Sequence, residues 1–147
     1  MKLLNNFIGG LTGAIVLNLI HESVRRFDPL APRVDLVGEE ALSKTILAAG
    51  GEPPTGDKLY AATLVSDIVS NAMYFSMIGA GNDKNIIWRG AGYSLAAGLG
   101  AVKLTEPMGL DDTPVNKTRK TQALTIAWYL IGGLVTAATI KAIRKRS

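Results

Sequence analysis

The chain contains no cysteine and a single histidine among its 147 residues. The first absence excludes a disulfide scaffold and a cysteine-ligated zinc or iron–sulfur centre. The second excludes a multi-histidine metal site built by one chain. No metal or cofactor is therefore expected. His21-Glu22-x-x-Arg25 has the start of the zinc-protease pattern HExxH, but arginine stands where the second ligand belongs. Haem ligation by His21 would need an axial partner from elsewhere. No phosphate-binding GxxxxGK[ST] follows a strand, and no GxSxG nucleophile elbow occurs. Net charge is also small, +4, while apolar residues make up 48 %, a balance that excludes intrinsic disorder. Mean hydropathy is +0.22, high for a chain with 16 basic and 12 acidic residues. The charges must be segregated from long apolar stretches.

Four such stretches stand out, at about 3–22, 59–81, 86–103 and 122–141. Each approaches the roughly 20 residues needed to cross a bilayer. They are apolar all round, whereas a soluble bundle would carry a polar stripe of helical period. They also hold the small residues that let membrane helices approach closely. Gly9 and Gly13 form GxxxG in the first, Gly92, Ala96 and Gly100 a small-residue run in the third, and Gly132, Gly133, Ala137 and Ala138 a cluster in the fourth. GxxxG serves either packing within the bundle or a dimer face, and packing is the preferred expectation, because four spans already offer one another partners. The third stretch is the weakest, being short, Gly-rich and interrupted by Arg89. The first is read as a retained span, because Asn5, Asn6 and Asn18 interrupt it and no small-x-small cleavage site follows. No internal repeat is evident.

The expected fold is thus all-α: one transmembrane domain over 1–147, a four-helix membrane bundle, with an amphipathic interfacial helix at about 35–49 in the first long loop. Asp35 is its expected N-cap and Gly50-Gly51 its stop. Four spans leave both termini on one side. The basic tail from Lys141 to Arg146 reads as a juxtamembrane anchor to anionic lipid rather than a nucleic-acid contact. Local density of lysine and arginine favours termini in the cytoplasm, and a bacterial inner membrane is the default location. Expected partners are the lipid bilayer and other membrane proteins or a second copy, with no nucleic acid.

Ionisable residues inside a span are expensive and mark candidate sites. Asp67 lies about 12 Å into the second span, with Asn71 and Tyr74 on the same helical face. By the same rise Asn18 is level with it, His21 and Glu22 lie just above, and Arg25 is one turn further. These depths predict a polar cluster of Asn18, His21, Glu22, Arg25, Asp67 and Asn71, with Tyr74, Trp128 and Tyr129 as pocket walls. Arg25 is expected to pair with Asp67 or Glu22, and Arg89 to snorkel to the nearer interface. Three uses fit such a cluster: a network that fixes helix register, a proton or small-solute site at Asp67 relayed by His21 and Glu22, or a lipid-modifying centre with His21 and Glu22 as acid and base. No catalytic residue is assigned. The leading expectation is a small membrane subunit, scaffold or binding module built around Asp67.

Overall fold

The computed structural model describes residues 1–146 and is all-helical, with no strand among the described residues. Its helices are α1 (Lys2–Val24), α2 (Val34–Ala48), α3 (Asp57–Ser76), α4 (Ile86–Lys103), α5 (Thr113–Asn116) and α6 (Arg119–Arg146). α3 tightens into a 3-10 turn at Met77–Gly79, and a second one at Asp83–Asn85 leads into α4. Three of these helices are long and apolar enough to cross a membrane: α1, α3 with its 3-10 turn, and α6. α4 has the boundaries expected of the third stretch, but it is not one of the three; its glycines, Arg89 and Lys103 dilute its apolar residues.

Local chemistry sets the ends. The helical turns of α1 give way at Arg25–Phe27, just before Pro29. Gly50, at φ +81°, follows α2, and Gly56, at φ +59°, precedes α3; both lie in the left-handed region that glycine enters without a Cβ penalty. Thr118 Oγ1 accepts from the Thr121 amide at 3.1 Å, an N-cap that starts α6. Asp35 does not cap α2 as expected. The helix begins one residue earlier, and the Asp35 side chain turns inward instead.

The long helices pack in the spatial order α3, α1, α6, α4, while α3 and α4 barely touch. The core lies along the three tight seams, with Leu17, Phe75, Ile78, Ile86, Trp128, Ala137 and Ile140 buried. Glycine makes the seams close. A methyl on Gly10 would strike the Ala72 carbonyl of α3, and one on Gly13 the Gly132 carbonyl of α6. Several buried hydroxyls within the helices return to their own backbone, as Thr125 to Thr121 O at 3.0 Å and Thr136 to Gly132 O at 3.0 Å, so these add no unmet polar group. Around this core Leu19, Val69, Met73, Leu99 and Ile131 face outward.

The small residues of α4 correct in part the expectation of packing within the bundle. Gly90, Ser94 and Gly98 face α6, meeting Gly133, Ala137 and Ile126. The run Gly92, Ala96, Gly100 is turned away: a Cβ on Gly92 would meet nothing within 4 Å, and one on Gly100 only Leu104, the residue that follows α4.

One end of the molecule gathers both chain ends and the α3–α4 turn. Arg144 donates to Asn6 Oδ1 at 2.6 Å and Gly79 O at 2.7 Å, and pairs with Asp83. Arg144 is thus an internal clamp, while Lys141, Lys145 and Arg146 of the same tail are exposed. Arg89 donates to Ile78 O at 3.0 Å and Asn82 O at 2.7 Å, satisfying carbonyls of the α3–α4 turn, at the end of the molecule towards which it was expected to reach. At the opposite end the two long loops dock on each other. Lys120 pairs with Asp28 at 2.6 Å, Thr121 Oγ1 donates to Leu30 O at 2.9 Å, and Arg33 N donates to Pro114 O at 3.0 Å.

Candidate functional site

The first loop turns at Ala31-Pro32 and sends α2 back along α3, so that Gly38 lies against Thr63. This return brings Asp35 down to the exit of α1. The polar residues there form two layers.

The upper layer is centred on Asp35, which sequence reasoning assigned to a cap. Arg33 reaches it at 2.6 Å and Arg25 at 3.1 Å, and His21 Nε2 faces it at 3.3 Å. Arg25 also holds Glu22 at 2.8 Å and lies over the Tyr60 ring, 5.4 Å from its centroid. Arg25 thus pairs with Glu22, one of its two expected partners, and with Asp35 rather than Asp67. Burial alone would push the Asp35 carboxyl up, but neighbouring His21 and the Arg33 guanidinium outweigh it and hold the group well below the ordinary carboxylate range. Asp35 in turn raises Arg33, against its partial burial. His21 is buried with its ring 5.6 Å from that of Trp128, tilted by 45°. Its Nδ1 lies 3.9 Å from Glu22.

The lower layer is Asp67 with two amides. Asn18 Nδ2 donates to one carboxylate oxygen at 2.9 Å and Asn71 Nδ2 to the other at 3.0 Å. Asn18 shares its amide with Ala14 O at 3.0 Å, which fixes its rotamer. Among the described residues no lysine, arginine or histidine forms an ion pair with Asp67. The expected cluster therefore divides: Asn18, Asp67 and Asn71 meet in one layer, and His21, Glu22 and Arg25 in the other.

Asp67 borders three spaces of different character. Towards the upper layer lies an enclosed cavity of about 20 Å³ lined by Asn18, His21, Asp35, Tyr60, Thr63 and Asp67, among others. His21 Nε2 and Thr63 Oγ1, both on its wall, are buried without a hydrogen-bond partner. On the other side α3 and α4 part, and a cleft of about 400 Å³ opens. Asp67, Asn71, Tyr74 and Tyr129 are its polar groups near the base, Ala97, Gly100 and Ala101 of α4 form the facing wall, and α2 with Leu104, Met108 and Leu110 covers it. Tyr74 donates to Tyr93 O at 2.9 Å and crosses between α3 and α4. Beyond it the cleft continues as a shallow groove along Gly92, Tyr93 and Ala96. Trp128 packs in the core behind His21 and, with Asn18, Asp67 and Tyr129, walls the third space, an enclosed one of about 10 Å³.

The cover is held by short polar contacts. Lys44 donates to Gly109 O at 2.5 Å, and the Asp111 amide donates to Glu40 at 2.8 Å. Asp35, Arg33 and Tyr60 are the site residues that sequence reasoning missed. The available signal was the charge cluster itself, Arg25 through Asp35, which reads as a turn.

Comparison with known proteins finds no matching family model, no matching curated protein and no matching solved structure.

Proposed function

We infer that the chain is an integral membrane protein that crosses a bilayer four times and serves as a non-catalytic binding module or small subunit, receiving its ligand in the cleft at Asp67. The observation that carries this reading is the cleft's composition. A largely apolar cavity of about 400 Å³ lies in the size range of ligand sites, which set a few convergent polar groups in apolar walls. Its base holds a carboxylate bound only by neutral amides. A buried carboxylate without a counter-charge costs several kcal/mol, so a cation or strong hydrogen-bond donor entering there is favoured.

The membrane reading rests on the three long apolar helices and on the outward apolar side chains of all four. In a bilayer such a surface is solvated by lipid. α4 completes the bundle by giving one face to α6. The proposed location is a bacterial inner membrane with both termini in the cytoplasm. A fluorescent reporter at the C-terminus should then be active and an alkaline phosphatase there inactive; the reverse pattern would overturn the orientation.

The binding reading is tested by native mass spectrometry of the chain extracted gently from its membrane. We expect a retained small molecule or polypeptide that Asp67→Asn sheds while the helices stay intact. A wild-type chain that carries neither would refute it.

A second reading, movement of a proton or small solute past Asp67, is favoured by the enclosed cavity above it. About 20 Å³ is room for one water, and His21 Nε2 and Thr63 Oγ1 are partners it could satisfy. Proton flux into liposomes that Asp67→Asn abolishes would support this; equal flux in both proteins would remove it. A lipid-modifying reaction at His21 and Glu22 draws no such support, since neither residue lines the cleft and Glu22 is engaged by Arg25.

A further inference from the structure

The geometry points to a particular occupant for the α3–α4 cleft: a transmembrane helix of another protein, packed on Gly92, Ala96 and Gly100 and presenting a basic side chain to Asp67. The inference rests on the binding reading above and names its partner class.

Two independent observations lead to it. The first is the cost of Gly92 and Gly100. Glycine inside a helix is destabilising relative to alanine, and most of the glycines in these helices repay that cost with a close contact, as Gly10, Gly13, Gly90, Gly98 and Gly133 do. Gly92 and Gly100 contact no other element, and Ala96 between them is exposed. They lie on one face of α4, spanning about 12 Å. Small residues at this spacing let a second helix backbone approach closely. Gly92 and Ala96 line the shallow groove, and Gly100 lines the deep cleft, so the strip runs continuously into the site.

The second is charge. Asp67 borders the same cleft as Gly100 and has neutral partners alone. The chain's own nearby cations are committed elsewhere: Arg25 and Arg33 to Asp35, and Arg89 to the carbonyls of Ile78 and Asn82. A partner helix seated on the strip has its loop-side turns beside Asp67, where a lysine or arginine would find a carboxylate already oriented by two amides. A second copy of this chain, whose α4 carries Lys103 in its last turn as well as Arg89, is the competing occupant, and energy transfer between two labelled copies in vesicles without peptide would overturn the inference.

The absence of native cysteine allows a clean test. A cysteine placed at Lys117 carries a donor dye, and the protein is co-reconstituted in phosphatidylcholine vesicles with acceptor-labelled peptides. The probes are 24-residue leucine–alanine helices with a central small-residue strip and, two turns away, lysine, glutamine or leucine. We expect the lysine peptide to bind at least tenfold more tightly than the glutamine peptide. Asp67→Asn should erase that difference, and Gly92→Ile, whose Cβ meets no neighbour in the free protein, should weaken both. Equal binding of lysine and glutamine peptides, or indifference to Gly92→Ile, would overturn the proposal. Dodecylammonium is the control ligand. If it binds in an Asp67-dependent way while no peptide binds, the partner-helix inference fails and the binding reading stands. If neither binds, both fail.

Discussion

Alanine at Gly10 and alanine at Gly92 should move stability in opposite directions, although both glycines lie inside long helices. The backbone term is common to the two: alanine favours the helix by about 0.5–1 kcal/mol. At Gly92 nothing lies within 4 Å of the added methyl, so the whole gain of about 0.5–1 kcal/mol is realised. At Gly10 the methyl falls on the Ala72 carbonyl and 2.8 Å from the Ser76 amide nitrogen. Both are backbone atoms, which no rotamer change can move. Ordinary contact begins at 3.4 Å, so α1 and α3 must separate by at least about 0.6 Å, a gap that forfeits a quarter or more of each contact's dispersion energy. Overpacking of this kind costs about 1–3 kcal/mol, which exceeds the helix gain. The same shift strains the 2.9 Å bond from Asn18 to Asp67, two turns along that seam. The assay is reversible unfolding in mixed micelles, followed by the fluorescence of Trp88 and Trp128. We expect Gly10→Ala to be less stable than wild type by about 1–2 kcal/mol and Gly92→Ala to be at least as stable. If Gly10→Ala matches wild type, or Gly92→Ala loses as much, the reading of which glycines are packed is wrong.

Asp35→Ala removes the anion shared by Arg25, which keeps Glu22, and Arg33, which is 39 % exposed, and should cost about 1–3 kcal/mol in a thermal melt; a loss below about 1 kcal/mol would mean the layer is solvated like a surface pair. The Asp35 carboxyl sits below its unfolded value of about 3.9, so its stabilisation is present above that pH and lost as pH falls through the lower folded value; stability measured from pH 7 down to pH 2 should fall in the wild type, and Asp35→Asn should fall less steeply. Glu40→Ala frees the Asp111 amide and should speed its hydrogen exchange without altering that of α1; unchanged exchange would show that the cover is held by other contacts. Arg144→Ala unties Asn6, Gly79 and Asp83 at once and should lower stability by more than the roughly 1 kcal/mol of a single hydrogen bond, whereas a tail that only touches lipid would lose nothing in micelles.

The helices were legible because their apolar residues run all round and because α4 is bounded by Asn and Asp on one side and a polar loop on the other. The meeting of Asn18, Asp67 and Asn71 was legible because rise per residue converts position into depth. What sequence reasoning missed depends on where chains return. Asp35 stands one residue into a helix, where aspartate ordinarily caps; only the turn at Ala31-Pro32 and the docking of Arg33 N on Pro114 O carry it back to Arg25. Arg144 sits in a basic tail, and its partner Asn6 is 138 residues away. The outward strip on α4 was misread for a related reason. Gly90, Ser94 and Gly98 have the same spacing as Gly92, Ala96 and Gly100, displaced by two residues. A displacement of two places the runs on different faces, and spacing alone does not say which face meets α6.

Asp35 and Asp67 make the strongest argument that the lower layer is more than a register device. Both are aspartates in the same polar cluster. Asp35 has two guanidiniums and a histidine around it, and it ties α1, α2 and the first loop together. A residue serving only to fix register is satisfied in this way, with its charge matched. Asp67 is held as firmly, by an amide from α1 and one from its own helix, yet its charge is left unmatched at the edge of a cleft. An asparagine or glutamine there could exchange hydrogen bonds with Asn18 and Asn71 without the cost of a buried charge. The carboxylate gains something over the amide only if a cation or a proton arrives, and the cleft between α3 and α4 is the side from which a cation can come.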